Sequence, residues 1–364
     1  MGSHPVPPEE ELKKIVAAGI LAPSGDNSQP WKLYYDGTTL HLVNVPERDT
    51  SLYNVNDIAS FIAFGALIEN MSIAAQSLGY LTDVSLFPKG DKVPVVASIS
   101  FAKGQVRNDP LLPYIPQRCV NRKAYKRKQL SQSVIDSLRK AADERKDAML
   151  CLIEKGKEKN LLANILALND RIVFENEKLH DFLFTHIRWS KDEIETSRDG
   201  MSIKSLELGA FQSKMMKVLS SWKIVKFMNI FGLSRFVPQQ SYQLCKGASA
   251  LCILSYAGTG LDSYLNGGRV LQRIWLTATS LDLSLHPMTG LIYLIRRVRS
   301  GGKGLSKNHK KMLLDSFDTV KQLCPLGDNE SYIMAFRIGY ADPPSDKSVR
   351  LPLEKVLVFG PPPD

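Results

Sequence analysis

Cysteine is scarce in this chain and poorly spaced for cross-linking. Five cysteines stand in 364 residues, an odd number, widely spread and without a CxxC pair, so the spacing argues against both a disulfide framework and a zinc site. Free thiols in a reducing cytoplasm are the expectation. The six histidines form no HExxH or HxH cluster, so no metal is expected; His4 belongs to a Met-Gly-Ser-His start that reads as a cloning scar. No uninterrupted apolar run reaches membrane length: Ala248 to Ala257 is too short, and Ile58 to Ala75 carries Glu69 and Asn70. Neither a membrane span, a secretory signal nor a membrane partner is expected. GxSxG is absent and no cysteine stands in a nucleophile's setting, which argues against hydrolytic triad chemistry. Gly258-Thr-Gly260 lacks the third glycine of a dinucleotide fingerprint, so any NAD(P)H would be a visiting substrate and not a resident of a Rossmann domain. Acidic residues are in deficit, 37 against 47 lysines and arginines, and the net charge of +10 points to an anionic partner.

What is present is ordinary globular material. Hydrophobic residues make up 44% and charged residues 23%, enough for a substantial core, and at roughly 150 residues per domain the length predicts two domains or one doubled domain. Pro7 and Pro8 followed by Glu9, Glu10 and Glu11 predict a helix start. Two alternating segments, Trp31 to Tyr35 and Thr39 to Val43, flank Asp36-Gly37 as a hairpin. Asp57 to Gly79 is periodic on two faces, as for a helix buried between layers, and strands follow near Thr82 to Phe87 and Pro94 to Phe101. Ser131 caps a further helix, Ala148 to Ile153 is a strand, and 155 to 244 is mostly helical. In that stretch Phe211, Met215, Met216, Trp222, Phe227, Met228 and Phe231 form a stripe that reads as packing or as a lid over a ligand. Ala248 to Tyr256, Asp262 to Leu281 and Tyr332 to Tyr340 follow as strand, helix and strand.

The two long helices align without gaps. Gly65 to Leu78 lies over Gly268 to Leu281 with identities at Gly65/Gly268, Ala75/Ala278, Ser77/Ser280 and Leu78/Leu281. A doubled chain would bury these helices against each other, turning a homodimer interface into an internal one.

Four segments carry candidate chemistry. The loop Ala22-Pro-Ser-Gly-Asp-Asn-Ser-Gln-Pro-Trp31 is dense in neutral donors and acceptors, suited to a planar heteroaromatic or its polyol chain, or else to capping the helix before it. Arg118 and Arg122 lie in a basic run that continues through Lys123, Lys126, Arg127 and Lys128, and a guanidinium can hold phosphate oxygens bidentately. Lys347 and Arg350 add two cations in a loop after the last core strand. His286-Pro287-Met288-Thr289-Gly290 is a turn in which glycine allows close backbone approach. A second basic stretch, Arg296 to Lys311, reads as a solvated loop; with no recognised binding motif beside it, nucleic acid is not expected as a partner.

Taken together, these segments resemble the FMN-dependent nitroreductase superfamily, and the doubled length with Arg118-x-x-Asn-Arg-x-x-Tyr125 looks like its two-repeat Acg-type branch. The resemblance covers most of 8–105, 115–153 and 245–357. It implies an α+β, nitroreductase-like fold in which two repeats, 1–105 and 106–364, form an intrachain pseudo-dimer, with a helical lid inserted at about 155–244. It implies FMN as cofactor, its phosphate on Arg118, Arg122, Lys347 and Arg350. Pro23, Ser24, Gly25, Asn27 and Gln29 would reach the flavin from the other repeat, and the Met288, Thr289 and Gly290 turn would present a backbone N–H to its ring. Arg122 is alternatively placed at the pyrimidine edge. Only one of the two pseudo-symmetric sites has all its parts, so one FMN per chain is expected, with Asn27 and Arg350 close together. The implied activity is NAD(P)H-dependent reduction of nitro, quinone or similar small acceptors in a cytoplasmic chain, monomeric or dimeric. The alternative is flavin storage, with the lid blocking turnover.

Overall fold

A computed structural model describes residues 6–90, 94–325, 327 and 329–363; His4 lies outside them. The chain opens with α1 (Glu9–Gly19), whose three glutamates occupy the first turn, where the helix dipole favours negative charge. β1 (Trp31–Tyr35) and β2 (Thr39–Asn44) form the hairpin, closed by the Asp36 carboxylate, which accepts from the Thr38 and Thr39 backbone N–H groups at 2.9 Å. α2 (Ile58–Ser77), β3 (Tyr80–Leu86), β4 (Val95–Lys103), α3 (Gln132–Asp143) and β5 (Ala148–Ile153) follow, with the Ser131 hydroxyl capping α3. A mostly helical run comes next: α4 (Gly156–Glu175), α5 (Glu177–Thr185), β6 (Ile187–Arg188), α6 (Lys191–Ser197), β7 (Met201–Ser202), α7 (Ala210–Leu219), α8 (Trp222–Ile230), α9 (Leu233–Phe236) and α10 (Pro238–Gly247). The chain ends with β8 (Ala250–Ala257), α11 (Leu261–Ser280), β9 (Ser284–Pro287), α12 (Gly290–Arg299), α13 (Lys307–Leu323), β10 (Glu330–Gly339), α14 (Leu353–Val356) and β11 (Leu357–Phe359).

These elements make a mixed α+β molecule on two main sheets. The first has the order β11-β1-β2-β4-β3, antiparallel except that β11 runs parallel to β1 with Leu357 opposite Leu33. The second, β5-β8-β10-β9, is antiparallel throughout. β9 and β11 are short strands that periodicity does not announce. Residues 357–359 therefore complete the sheet that residues 31–103 built.

Between the sheets, α2 and α11 lie against each other. α2 is apolar on every face and, by length and composition alone, could cross a membrane, but it is wholly enclosed by protein. The crossing is made possible by two glycines. A Cβ placed on Gly65 would sit 2.0 Å from the Leu265 carbonyl oxygen, and one on Gly268 would sit 2.1 Å from that of Ile62. Beyond the crossing, Glu69 accepts from Arg269 Nε at 2.9 Å and Arg273 Nη1 at 3.0 Å, and Asn70 accepts from Gln272 Nε2 at 2.7 Å. Burial pushes the Glu69 carboxyl up, but Arg269, Arg273 and Arg145 outweigh it and hold the group below the usual glutamate range. The two polar residues that interrupt the apolar run are thus the ones that lock the helices in register.

One expectation fails. Cys151 on β5 and Cys324 just after α13 are joined as a disulfide, while Cys119, Cys245 and Cys252 are free. The pair is separated by 173 residues, with Cα atoms 5.8 Å apart. Spacing along the chain carries no signal for a partner that only the tertiary fold supplies, and the cysteine argument for a reducing compartment falls with it.

Candidate functional site

The loop between α1 and β1 is held by the distant loop that follows β10. Arg350, 323 residues away from Asn27, donates through Nη1 to Asn27 Oδ1 at 2.7 Å and through Nε and Nη2 to the Ile20 and Ala22 carbonyls at 3.1 Å. Asn27 Nδ2 answers with a bond to the Val349 carbonyl at 2.9 Å. Gln29, fully buried, donates to the Arg198 carbonyl at 2.8 Å and accepts from the Leu351 N–H at 2.7 Å. The loop's left-handed backbone falls on Asp26, Asn27 and Gln29, with φ of 43°, 58° and 49°. Gly25, the glycine of the loop, is not among the left-handed positions. Three non-glycine residues held there store strain that the bonds from Arg198, Arg350 and Leu351 support.

Arg118 and Arg122 arrive on a segment laid along β9: Val120 bridges to Leu285, and Asn121 donates to Ser284 Oγ at 2.9 Å. Arg118 is buried, stacks over Trp275 with its guanidinium carbon 4.6 Å from the ring, and donates through Nη2 to the Leu21 carbonyl at 3.0 Å. Its Nε is buried with no partner among the described residues. Burial, then the neighbouring Arg350, pull the Arg118 guanidinium down to about 9; burial alone takes Arg350 down to about 10. A buried guanidinium, Arg118, lies close to a half-buried one, Arg350, and no carboxylate forms an ion pair with either among the described residues. Such an arrangement is costly unless an anion enters. A cavity of about 130 Å³ opens on these groups, with Ser24, Asn27, Lys347 and Cys119 also in its wall.

That cavity shares Pro23, Ser24, Asp26, Val120 and Arg122 with a larger one of about 310 Å³ walled by loops, helices and strands β9 and β10. The larger wall is mostly apolar, with Trp275, Ile62, Leu271, Phe174, Phe182 and Met334 prominent, and this mixture of an apolar body and a few convergent polar groups suits a planar organic ligand. His286 lies in the same wall. Its Nδ1 accepts from Arg337 Nε at 3.1 Å, which leaves Nε2 as the protonated donor nitrogen. Burial, with Arg337 and Arg122 close by, holds the imidazole well below its ordinary range and therefore neutral.

Acids also gather along the larger cavity. Asp26, Asp49 and Asp170 all line the larger cavity, and burial is the leading reason that each carboxyl is raised, Asp49 and Asp170 to about 6. Asp170 accepts from Ser241 Oγ. Because the Asp170 carboxyl is raised above its unfolded value, its contribution to stability is fully present below about pH 4 and is lost as the pH rises through about 6. Asp170→Asn is therefore expected to melt higher than the parent at pH 7.5, by the equivalent of about 1–2 kcal/mol after allowing for its exposure to the cavity, and to match it below about pH 4. Thermal melts of both proteins across that range check this; equal melting temperatures at pH 7.5 refute it.

The sequence-predicted residues do not all reach the cavities. Pro23, Ser24, Gly25, Asn27, Arg118, Arg122, Thr289, Gly290, Lys347 and Arg350 line one or both. Gln29 and Met288 line neither: Gln29 spends its amide on protein partners, and Met288 donates its N–H to the Ala335 carbonyl at 2.7 Å while its side chain packs on the core. What presses on Gly290 is the Asn169 side chain, 2.4 Å from where a Cβ would stand. Within the helical run 155–244 it is α4 and α5 that wall the cavity, through Asn169, Phe174, Phe182 and Leu183, and the Phe211 to Phe231 stripe contributes nothing to it among the described residues. Sequence reading missed Asp26, Asp49, Tyr53, Asn169, Asp170 and Trp275; only Asp26, inside a loop already singled out, carried a signal. Arg296, Arg297 and Arg299 of the second basic stretch are committed to the protein, against the Tyr264 ring, the Lys303 and Leu52 carbonyls and the Phe317 ring.

No family model matches the chain. Among curated proteins it is similar to Uncharacterized protein MT1398 of Mycobacterium tuberculosis (strain CDC 1551 / Oshkosh), 26% identical over 345 residues, which is 94% of this chain and 47% of that one. The chain thus spans about half the length of that relative. Among solved structures it is similar to the FMN-dependent nitroreductase NfnB from Mycobacterium smegmatis in complex with NADPH, at 14% identity and TM-score 0.40, covering 68% of this chain and 96% of that one. Iodotyrosine deiodinase bound to FMN and 3-iodo-L-tyrosine gives 12% identity and TM-score 0.36 over 66% and 95%. At TM-scores this low the likeness establishes no shared function.

Proposed function

We propose that this chain is an FMN-binding oxidoreductase of the nitroreductase type, using NAD(P)H to reduce nitro, quinone or similar small acceptors. One observation carries the reading: buried Arg118 and half-buried Arg350, without carboxylate partners among the described residues, open onto a small cavity that continues into a larger apolar one. The donor set and the orphaned Arg118 Nε fit a phosphate monoester at one end and a flat ring system at the other. Bound there, FMN would supply two-electron redox chemistry.

In this reading Arg118, Arg350 and Lys347 hold the phosphate, and Ser24 and Asn27 contact the polyol chain. Arg122, which lines both cavities, sits at their junction, and with the His286 Nε2–H it favours negative charge on the ring. Pro287, Thr289 and Gly290 form the wall beside it, with the Thr289 hydroxyl engaged to the Ala335 carbonyl at 3.2 Å. Trp275, Phe174 and Phe182 exclude water.

The chain is read as a doubled unit closed on itself. Gly65 meets Leu265 and Gly268 meets Ile62, so each contact is the other's image under the alignment that pairs 65 with 268 and 62 with 265. The site then draws its amides from the first repeat and its cations from the second. α4 and α5 act as the lid. Their close cover, Phe174 and Phe182 included, favours a second reading in which flavin is stored and the ring is closed to nicotinamide.

Reconstitution decides between them. Protein incubated with FMN and freed of excess is expected to keep a flavin absorption spectrum that NADH or NADPH bleaches without air. Colourless protein refutes both readings, and a retained spectrum that neither nucleotide bleaches supports storage.

A further inference from the structure

An exposed apolar surface lies outside the cavity, on α7, α8 and α9. Phe211, Ile230, Phe231 and Phe236 are 75%, 76%, 72% and 71% exposed, values that no packed core side chain shows. Phe227 is also exposed and meets Phe231 edge to face at 5.5 Å, and Phe236 lies beside Gly232 in the next turn. Ile224, Phe227 and Phe231 fall at helical spacing, so they form one outward stripe on α8 and the residue after it. The inward face of the same helices is already satisfied, since Val225 is buried and Met215, Met216, Trp222 and Met228 pack on the core.

The surface is also of one sign. From Leu208 to Leu261 the chain contains no aspartate or glutamate, while Lys214, Lys217, Lys223, Lys226 and Arg235 all fall within α7 to α9. Those five side chains are exposed. Lys223 and Lys226 precede Ile224 and Phe227 by one residue each and so flank the apolar stripe. The patch is mounted firmly: Asn229 Nδ2 donates to the Phe174 carbonyl at 2.6 Å, and Ser234 Oγ donates to Glu175 Oε1 at 2.9 Å.

We propose that α7, α8 and α9 form a docking face for an anionic lipid surface. Exposed phenylalanines and isoleucine would enter the boundary between headgroups and acyl chains while lysine and arginine stems reach back to lipid phosphates. Charge selects this occupant. A second copy of the chain would set five cations against five, with no acid on the face to answer them, whereas an anionic bilayer offers both the apolar interior and the opposite charge. This revises the sequence-based expectation that no membrane is involved, without requiring a span. It stands independently of the flavin reading.

The test is cosedimentation of the full chain with vesicles. Partition into phosphatidylcholine–phosphatidylglycerol vesicles is expected to exceed partition into phosphatidylcholine alone by about tenfold or more at low salt, and to fall at high salt. Phe227→Ser combined with Phe231→Ser, and separately Lys223→Gln combined with Lys226→Gln, are each expected to lose most of it while melting at the parent temperature. No preference for anionic vesicles, or unchanged partition of the phenylalanine variant, overturns the proposal. So does a concentration-dependent dimer that the same phenylalanine substitutions abolish, which would make the face a protein contact.

Discussion

Arg118→Met should weaken FMN binding by about 10- to 100-fold and leave the apoprotein's melting temperature unchanged or slightly higher. The two effects have opposite signs because the arginine is unfavourable until its anion arrives. Its guanidinium is buried, beside Arg350, with Nε unbonded among the described residues, and its compensation is limited to one bond to the Leu21 carbonyl and the Trp275 ring. A charge-assisted hydrogen bond to phosphate is worth about 1.5–3 kcal/mol, which sets the size of the loss. Methionine keeps most of the volume against Trp275 and introduces no charge to desolvate. Arg350 is a poorer probe, since its bonds to Asn27 and to the Ile20 and Ala22 carbonyls shape the loop as well. Flavin titration and a thermal melt on the same preparation read both halves of the expectation. Unchanged affinity, or an apoprotein that melts several degrees lower, would assign Arg118 to structure.

Gly65→Ala should cost stability on the order of 2–4 kcal/mol, although the same exchange in an ordinary helix gains about 1 kcal/mol. The added methyl would overlap the Leu265 carbonyl oxygen and crowd the Arg269 nitrogen at 2.9 Å, both of them backbone atoms that move only if the helices part. Gly268→Ala meets the Ile62 backbone in the same way. One separation of α2 from α11 relieves both clashes, so the double variant should lose less than the sum of the two single losses. Gly247→Ala, with open space around it, is the control that should be neutral. Denaturant unfolding curves give all four values, and a Gly65→Ala protein as stable as the parent would remove the close crossing from the account of the fold.

The parts of this molecule that were legible in the sequence are those whose cause is local. Asp36-Gly37 with alternating flanks makes a hairpin because the turn chemistry and the strands are adjacent. α2 and α11 announce themselves through periodicity, and their gapless alignment already set Gly65 against Gly268. Contacts across long separations were much less visible. Nothing near Cys151 names Cys324, and nothing near Asp170 or Asp49 says that folding will bring both to the cavity holding Asp26. The stripe from Phe211 to Phe231 divides: Met215, Met216, Trp222 and Met228 pack on the core, as the packing reading expects, whereas Phe211, Phe227 and Phe231 face outward, because exposed and buried faces of an amphipathic helix look alike in sequence when the outer face is also aromatic. In the Ala22 to Trp31 loop the density of polar groups was visible, but the strain lies on Asp26, Asn27 and Gln29, because the bonds that hold it come from Arg198 and from residues beyond 345.

The pairing of β11 with β1 has a consequence for biosynthesis. As the polypeptide leaves the ribosome, the first four strands emerge early, yet the outer edge at Trp31 to Tyr35 must wait, open, for more than three hundred further residues before Leu357 to Phe359 can close it. The stretch carrying Lys347 and Arg350 is translated just ahead of that closing strand, so the smaller cavity gains both side chains at almost the same moment as the sheet edge is closed. A chain halted before Lys347 therefore carries an unsealed sheet margin and lacks two of the cations that line the smaller cavity.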